Sequence, residues 1–384
     1  MWITPFNKPY LTGKETEYIR QSVDSGKISG NGIFTQKCHH FFEERYGFRK
    51  CLLTSSCTDA LEMAALLCNL RPGDEVIIPS YTFVSTALAF VRAGAKIVFA
   101  DSQKNHPNID ANAIESLISP RTKVIVPVHY AGTACDMREI MRLAEKYNLI
   151  VVEDAAQAID SYYENRPLGG IGHLAAFSFH ETKNIISGEG GMLVINDERF
   201  IRRAEIIWEK GTNRAEFFRG EVNKYNWVDI GSSFLPSEIT SAFLFAQLEH
   251  LDDIQSKRKD LWNYYYKKLK PLEDAHLCQL PIIPDYASNN AHIFFLVFPT
   301  ETIRTAVANK LKEHGILAVS HYISLHSSPY YHNKHNGRKL PNSDRFTNCL
   351  LRLPMFFELS FEEIDLISTI ITDELSHFSA RQVL

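Results

Sequence analysis

The sequence has no Cys-x-x-Cys pair, no apolar run of membrane-spanning length, no block of basic residues, no internal repeat and no low-complexity tract. Each absence removes a class of function. The seven cysteines (38, 51, 57, 68, 135, 278 and 349) are scattered and odd in number, which argues against a disulfide framework or a structural zinc site. A membrane helix needs roughly 20 consecutive apolar residues, so no membrane partner is expected. A formal net charge of -4 without a Lys/Arg cluster offers no nucleic-acid surface. No Gly-x-Gly-x-x-Gly follows the first strand-like segment, which disfavours a dinucleotide-binding site. His129, His180 and His321 do not share metal-ligand spacing, so no metal is expected. The opening residues Met1 to Pro9 lack the charged and apolar regions of a secretory signal, and the expectation is a cytoplasmic protein.

What is present is an ordinary globular composition, 45% hydrophobic and 22% charged over 384 residues, long enough to divide into two domains. Residues 50 to 155 alternate apolar, β-branched runs with amphipathic stretches. Strands are expected at 51–54, 75–79, 96–100, 123–128 and 149–153. Helices are expected at 58–70, 84–93 and 137–147, with another capped by Asp110 and stopped by Pro120. Continuous apolar strands separated by helices predict an α/β fold, a mostly parallel sheet covered on both faces. A strand at 175–179 follows. Further on, the pattern predicts a long helix over 237–269, a strand at 293–298, a helix at 303–314, a short strand at 317–319 and a terminal helix from Phe361. The expected division is a large α/β domain over 1–250 and a smaller α+β domain over 251–384.

Ligands of parallel α/β sheets gather at the carboxyl ends of strands, where Thr54, Ser80, His129 and Asp154 fall. Lys183 stands just beyond the 175–179 strand and before a turn with Gly188, Gly190 and Gly191. A lysine of this kind can form a Schiff base with pyridoxal phosphate, and an acid such as Asp154 can hold the pyridinium proton. Asp154 also reads as a plain helix cap. Gln157, one turn on, is placed to reach the phenolic oxygen of the ring. Thr54-Ser-Ser-Cys-Thr-Asp59 joins a strand to a helix, so Ser56, Cys57 and Thr58 form either a phosphate cradle or simple caps. Ser178 is a second phosphate ligand or a buried strand serine. Phe83 is a stacking face for the cofactor or an ordinary core aromatic. His321, Tyr322 and His326 lie in a loop-like stretch suited to substrate contact.

Together, Pro79-Ser-Tyr-Thr-Phe-Val-Ser-Thr-Ala87, Pro127-Val-His-Tyr-Ala-Gly132, Glu153-Asp-Ala-Ala-Gln157, Phe177-Ser-Phe-His-Glu-Thr-Lys-Asn184, Glu209-Lys-Gly-Thr-Asn-Arg214, Asp229-Ile-Gly-Ser-Ser-Phe-Leu235 and Leu351-Arg-Leu-Pro354 resemble the DegT/DnrJ/EryC1/StrS family of sugar aminotransferases. The likeness covers essentially the whole chain. It implies a PLP-dependent aminotransferase type I fold, with a three-layer α/β/α large domain, a smaller C-terminal domain, and a homodimer with sites at the subunit interface. It implies catalytic Lys183 and Asp154. Ser56, Cys57, Thr58, Phe83, Gln157, Ser178 and Ser233 would contact the cofactor, and Ile28, His180, Lys210, His321 and Tyr322 the substrate. Three positions, in two motifs, depart from the family pattern. Ser233 and Leu235 replace the Asn and Arg of Gly-x-Asn-x-Arg, which shortens the reach to a neighbouring subunit's cofactor. Cys57 replaces a cradle glycine but keeps its backbone N–H. The implied reaction transfers an amino group from L-glutamate to C4 of dTDP-4-keto-6-deoxy-D-glucose, giving the galacto amine of a surface-polysaccharide precursor such as enterobacterial common antigen or O-antigen. The gluco epimer, amination at C3, and a non-catalytic PLP-binding regulator stay open. A dehydratase of the same fold carries histidine in place of Lys183.

Overall fold

The computed structural model describes residues 3–382. After two helices, Glu15–Asp24 and Ile33–Tyr46, come strands β1 (Lys50–Thr54), β2 (Glu75–Pro79), β3 (Lys96–Ala100), β4 (Thr122–Ile125) and β5 (Ile150–Asp154). A small hairpin, β6 (Tyr162–Tyr163) and β7 (Arg166–Pro167), precedes β8 (Leu174–Ser178) and β9 (Gly191–Ile195). Seven of these form one sheet in the order β1-β9-β8-β5-β4-β2-β3. Six run in one direction, and β9 runs antiparallel to both neighbours, β1 and β8.

Apolar residues of both strand faces are buried. Val151 and Ala175 belong to a core with Phe42, Ile140 and Leu143, while Val152 and Leu174 pack with Leu61, Ala64 and Phe90 on the opposite face. That two-sided burial explains the unbroken apolar strands. The helices that cover the sheet start at side-chain caps. Ser56 Oγ accepts from the Asp59 amide at 3.1 Å to open Cys57–Leu67, and Asp136 accepts from Glu139 to open Met137–Tyr147. Asn148, at φ 52, ends the latter in the left-handed conformation.

The C-terminal third builds a separate core. Helix Leu251–Asp274, strands β10 (Phe294–Val297) and β11 (Leu350–Leu353), helix Glu301–Glu313 and helix Phe361–Gln382 enclose Trp262, Tyr265, Phe294, Leu353 and Ile367. Strands β10 and β11 pair antiparallel. The chain also crosses back between the two cores. Thr4 bridges to Ile316, and Leu325, Tyr331 and Leu340 pack against the sheet's second face.

Several expectations need correction. The helix expected over 237–269 is two helices, Glu238–Leu248 and Leu251–Asp274. Apolar Leu248 and Leu251 flank the break, so the pattern runs through it, and Asp252 and Asp253 open the second helix where carboxylates favour a new N-terminus. The strand expected at 317–319 is a single bridge from Val319 to Arg352. The helix capped by Asp110 spans only Ala111–Ile114 before a 3-10 turn. Among the described residues, no helix is long and apolar enough to cross a membrane, and no three His, Cys, Asp or Glu cluster as a metal site.

Candidate active site

The carboxyl ends of β1, β5 and β8 open onto a cavity of about 570 Å³. The β1–helix junction contributes Ser56, Cys57 and Thr58, and the start of helix Val84–Arg92 contributes Phe83 and Thr86. Asp154 and Gln157 follow β5, and Ser178, His180 and Lys183 follow β8. The C-terminal third closes the space with His292, His321, Tyr322 and Arg352. Asp154 and Ala176 are register partners in adjacent parallel strands, which is why two residues far apart in sequence reach one cavity.

Asp154 is buried, with two hydrogen bonds. Thr86 Oγ1 donates to Oδ2 at 2.6 Å, and the Ala156 amide donates to Oδ1 at 3.1 Å. Thr82 hydrogen-bonds Thr86 at 3.0 Å and steadies that donor. No Lys, Arg or His among the described residues forms an ion pair with this carboxylate. Burial therefore wins over the two hydrogen bonds and raises its pKa. A cationic N–H donor in the cavity would reverse that shift, as a protonated pyridine nitrogen does.

Lys183 is half-buried, and loss of water lowers its ammonium pKa to about 8. Arg352 adds a like charge in the same direction, while Cys57 and Asp154 oppose it. The amine is thereby available near neutral pH as a nucleophile or proton carrier.

The β1–helix turn has the chemistry of an anion cradle. The first amides of a helix have no intrahelical acceptor, and here the side chain of Ser56 takes the Asp59 amide, leaving those of Cys57 and Thr58 at the cavity wall. Thr58 and Ser85 hydroxyls lie 2.8 Å apart beside them. Burial and the charge of Asp154 push the Cys57 thiol well up, so it stays neutral beside an anion. Gly191 closes the cradle from behind, since a Cβ there would overlap the Ser56 carbonyl and the Cys57 amide nitrogen. A phosphorylated pyridine aldehyde fits this set: amides and hydroxyls for phosphate, a buried acid for the ring nitrogen, and a lysine for the aldehyde.

Ser56, Cys57, Thr58, Phe83, Asp154, Gln157, Ser178, His180, Lys183, His321 and Tyr322 line one cavity. Phe83 stands at its rim, 56% exposed, with its ring 6.0 Å from that of Tyr322. Gln157 accepts from the Ala131 amide at 2.6 Å and donates to the Tyr322 hydroxyl at 3.1 Å. Lys210 and Ser233 lie elsewhere, in a second cleft with Lys27, Ser29 and Arg214, and exposed Ile28 sits beside it. His326 is turned away from the cavity and hydrogen-bonds Ser80 at 2.7 Å.

Sequence reasoning passed over Thr86, His292 and Arg352. The first stood inside the quoted motif Pro79 to Ala87, but a threonine in the first turn of a helix reads as a local cap. His292 precedes β10 and donates from Nδ1 to Asn184 Oδ1 at 2.8 Å, because the Asn184 amide nitrogen is already donating to Gln255 and the Asn290 carbonyl. Burial, with Lys183 and Arg258 nearby, keeps it neutral, so Nε2 carries the lone pair. His129 is fully buried against Glu153 at 2.9 Å, a pair beneath the site that also takes the Gly169 and Ile171 amides.

The model of the DegT/DnrJ/EryC1/StrS aminotransferase family matches residues 9–372. The spore coat polysaccharide biosynthesis protein SpsC of Bacillus subtilis is 31% identical over 370 residues, 94% of each chain. Helicobacter pylori PseC, an aminotransferase involved in the biosynthesis of pseudoaminic acid, is similar with a TM-score of 0.87 and 25% identity, over 97% of this chain and 99% of that one. Spr1654 from Streptococcus pneumoniae, in its PLP form, shares the fold at a TM-score of 0.88 and 24% identity, over 98% of this chain and 99% of that one.

Proposed function

The chain belongs to the DegT/DnrJ/EryC1/StrS aminotransferase family, PLP-dependent enzymes of sugar metabolism, and from that premise we propose that it moves an amino group from L-glutamate to C4 of dTDP-4-keto-6-deoxy-D-glucose. The products are 2-oxoglutarate and dTDP-4-amino-4,6-dideoxy-D-galactose. The observation that carries the transaminase chemistry is the meeting of Lys183, with its pKa near 8, and buried Asp154 in one cavity beside an anion cradle. The choice of sugar rests on sequence resemblance, with Lys210-Gly-Thr-Asn-Arg214, Gly231-Ser-Ser-Phe-Leu235 and His321-Tyr-Ile-Ser-Leu-His326 as its signature.

In this reading the amides and hydroxyls of Ser56, Cys57, Thr58 and Ser178 hold the phosphate, and Asp154 holds the ring nitrogen's proton. Gln157 stands at the ring's phenolic oxygen and Phe83 at its open face. The bound pyridinium supplies an electron sink for the carbon that loses its proton. Lys183 takes the proton from the α-carbon of glutamate and delivers one to C4 of the sugar. The face of delivery sets the amine axial or equatorial. His180, His321 and Tyr322 line the space left for substrate.

We further propose a cytoplasmic homodimer, divided into a cofactor-holding domain over 1–250 and a smaller domain over 251–384. The support for a partner is apolar surface. Trp227 is 83% exposed, and Ile28, Phe83 and Ile230 are also exposed, large apolar side chains that a second copy would cover. A second copy would bring Ile28, Lys210 and Ser233 to its neighbour's cavity. The test is incubation of the PLP-loaded protein with L-glutamate and the keto-sugar, with the amine's position and configuration read from proton coupling constants. The galacto product at C4 supports the proposal. A gluco product or amination at C3 corrects the substrate assignment, and failure of glutamate to bleach the visible band of the lysine-bound cofactor rejects the transaminase reading.

A further inference from the structure

His292 is a buried base on the cavity wall, held from three sides. Its amide donates to Asn290 Oδ1 at 3.0 Å, and its carbonyl accepts from Arg258 Nη2 at 2.6 Å. Its Nδ1 lies 2.8 Å from Asn184 Oδ1. Asn290 is fixed in turn, because its Nδ2 donates to the carbonyls of Gln157 and Ile159, each at 2.8 Å. Ala291, between the two, is fully buried at φ 53, a left-handed conformation that disfavours any residue but glycine. Strain of this kind persists only where the surrounding bonds over-determine it, and here it precedes the imidazole directly.

The same network fixes the proton. The Asn290 carbonyl can only accept, so the Asn184 atom 2.8 Å from it is the amide nitrogen, and Asn184 Oδ1 faces His292. An amide oxygen needs a donor, so Nδ1 carries the hydrogen and Nε2 keeps its lone pair. Burial, with the charges of Lys183, Arg258 and Arg352 behind it, holds the ring's pKa well below its usual value. Among the described residues Nε2 has no hydrogen-bond partner. Neither has the amine of Lys183, which lines the same cavity. One peptide bond joins Lys183 to Asn184, the residue that orients the imidazole. Asp154 is already engaged by Thr86 and Ala156.

We propose that His292 is a positioning residue for Lys183, its Nε2 accepting a hydrogen bond from the lysine amine whenever that amine is not bonded to the cofactor. This rests on the reading of Lys183 as anchor and proton carrier. A neutral amine has two N–H groups and one lone pair. Tying one N–H to a fixed acceptor limits rotation about the last side-chain bond and aims the lone pair at its target. Once the lysine has taken a proton, the ammonium donates through the same contact. The imidazole, ringed by cations, stays neutral and leaves the proton on Lys183 for delivery. Because Lys183 works in both halves of the reaction, His292 serves both.

The test uses two variants of the full chain, each first matched to the wild type in melting temperature. His292→Asn keeps a donor for Asn184 where Nδ1 was and leaves nothing at Nε2. His292→Gln reaches the Nε2 position with an acceptor oxygen. Apoprotein is mixed with excess PLP at pH 8 and the growth of the visible band is followed. Capture in His292→Asn should be roughly 10- to 100-fold slower, the loss expected for one hydrogen bond to a charged group, and His292→Gln should recover part of it. In single turnovers of the loaded protein, the glutamate and keto-sugar halves should slow by the same factor with little change in KM. The isotope effect with α-deuterated glutamate should rise as proton transfer becomes slower. Capture by His292→Asn within about twofold of wild type overturns the assignment. So does a loss confined to the keto-sugar half, which would make the imidazole a contact for a sugar hydroxyl. If His292→Asn does not fold, His292→Phe, a ring without an acceptor, is read in the same way. Wild-type protein that captures PLP faster than these variants, yet is not bleached by glutamate, would reject the transaminase reading and leave this one standing.

Discussion

Cofactor capture should bend with pH near 8. Lys183 must be unprotonated to attack the pyridoxal aldehyde, and its pKa is lowered to about 8 by lost hydration and the neighbouring charge of Arg352. At pH 7 about one amine in ten is then free, against roughly one in three thousand for a lysine titrating near 10.5, an advantage of about 300-fold. Apoprotein mixed with excess PLP should therefore develop its visible band at a rate that rises about tenfold per unit below pH 8 and levels off above it. The neighbours move the bend in opposite directions. Arg352→Met removes a like charge and should shift it upward, while Asp154→Asn removes an attractive one and should shift it downward. A rate still climbing tenfold per unit between pH 9 and 10 would refute the reasoning. The same depressed pKa has a linkage consequence. Between about pH 8 and 10.5 the unfolded chain binds more protons at this site, so Lys183 makes the apoprotein gain stability as pH rises through that window. Lys183→Met should remove this contribution to the pH profile of thermal melting.

Asp154→Asn should retain phosphate binding yet lower turnover at least about a hundredfold, because a neutral amide cannot keep the ring nitrogen charged. Steady-state rates with PLP present in excess check it, and wild-type activity would exclude an ionic role for Asp154. Gly191→Ala should force β9 away from the turn at Ser56 and Cys57, since the added methyl overlaps backbone there. A stability loss of about 1–3 kcal/mol, read by denaturant titration, and weaker PLP binding are expected.

The alternation of 50 to 155 was readable because strands such as β2 and β5 are buried on both faces and need apolar runs. The placement of Lys183 and Asp154 together follows from their strands, β8 and β5, lying side by side with carboxyl ends at the same edge. Strand β9 escaped notice because Gly188 to Gly191 reads as a turn and hides its first residue, which packs against the cradle. The break at Glu249 and His250 was hidden by continuous apolar spacing across it. Arg352 was visible as part of Leu351-Arg-Leu-Pro354, but a charge in a short strand reads as a solvent-facing position. Only the closing of Phe6 and the sheet-borne aromatics around it shows that it faces a cavity. Lys210 and Ser233 share a family pattern with the cavity residues, yet the chain places them in another cleft, because a sequence pattern carries no information about distance in the fold.

The central assignment is that Lys183 anchors the cofactor. Borohydride reduction of the PLP-loaded protein, followed by proteolysis and mass spectrometry, measures it directly. A single pyridoxyl group on Lys183 is the expected result, lost in Lys183→Ala. A label on another lysine, or an unmodified Lys183 in protein that has retained its visible band, would contradict it.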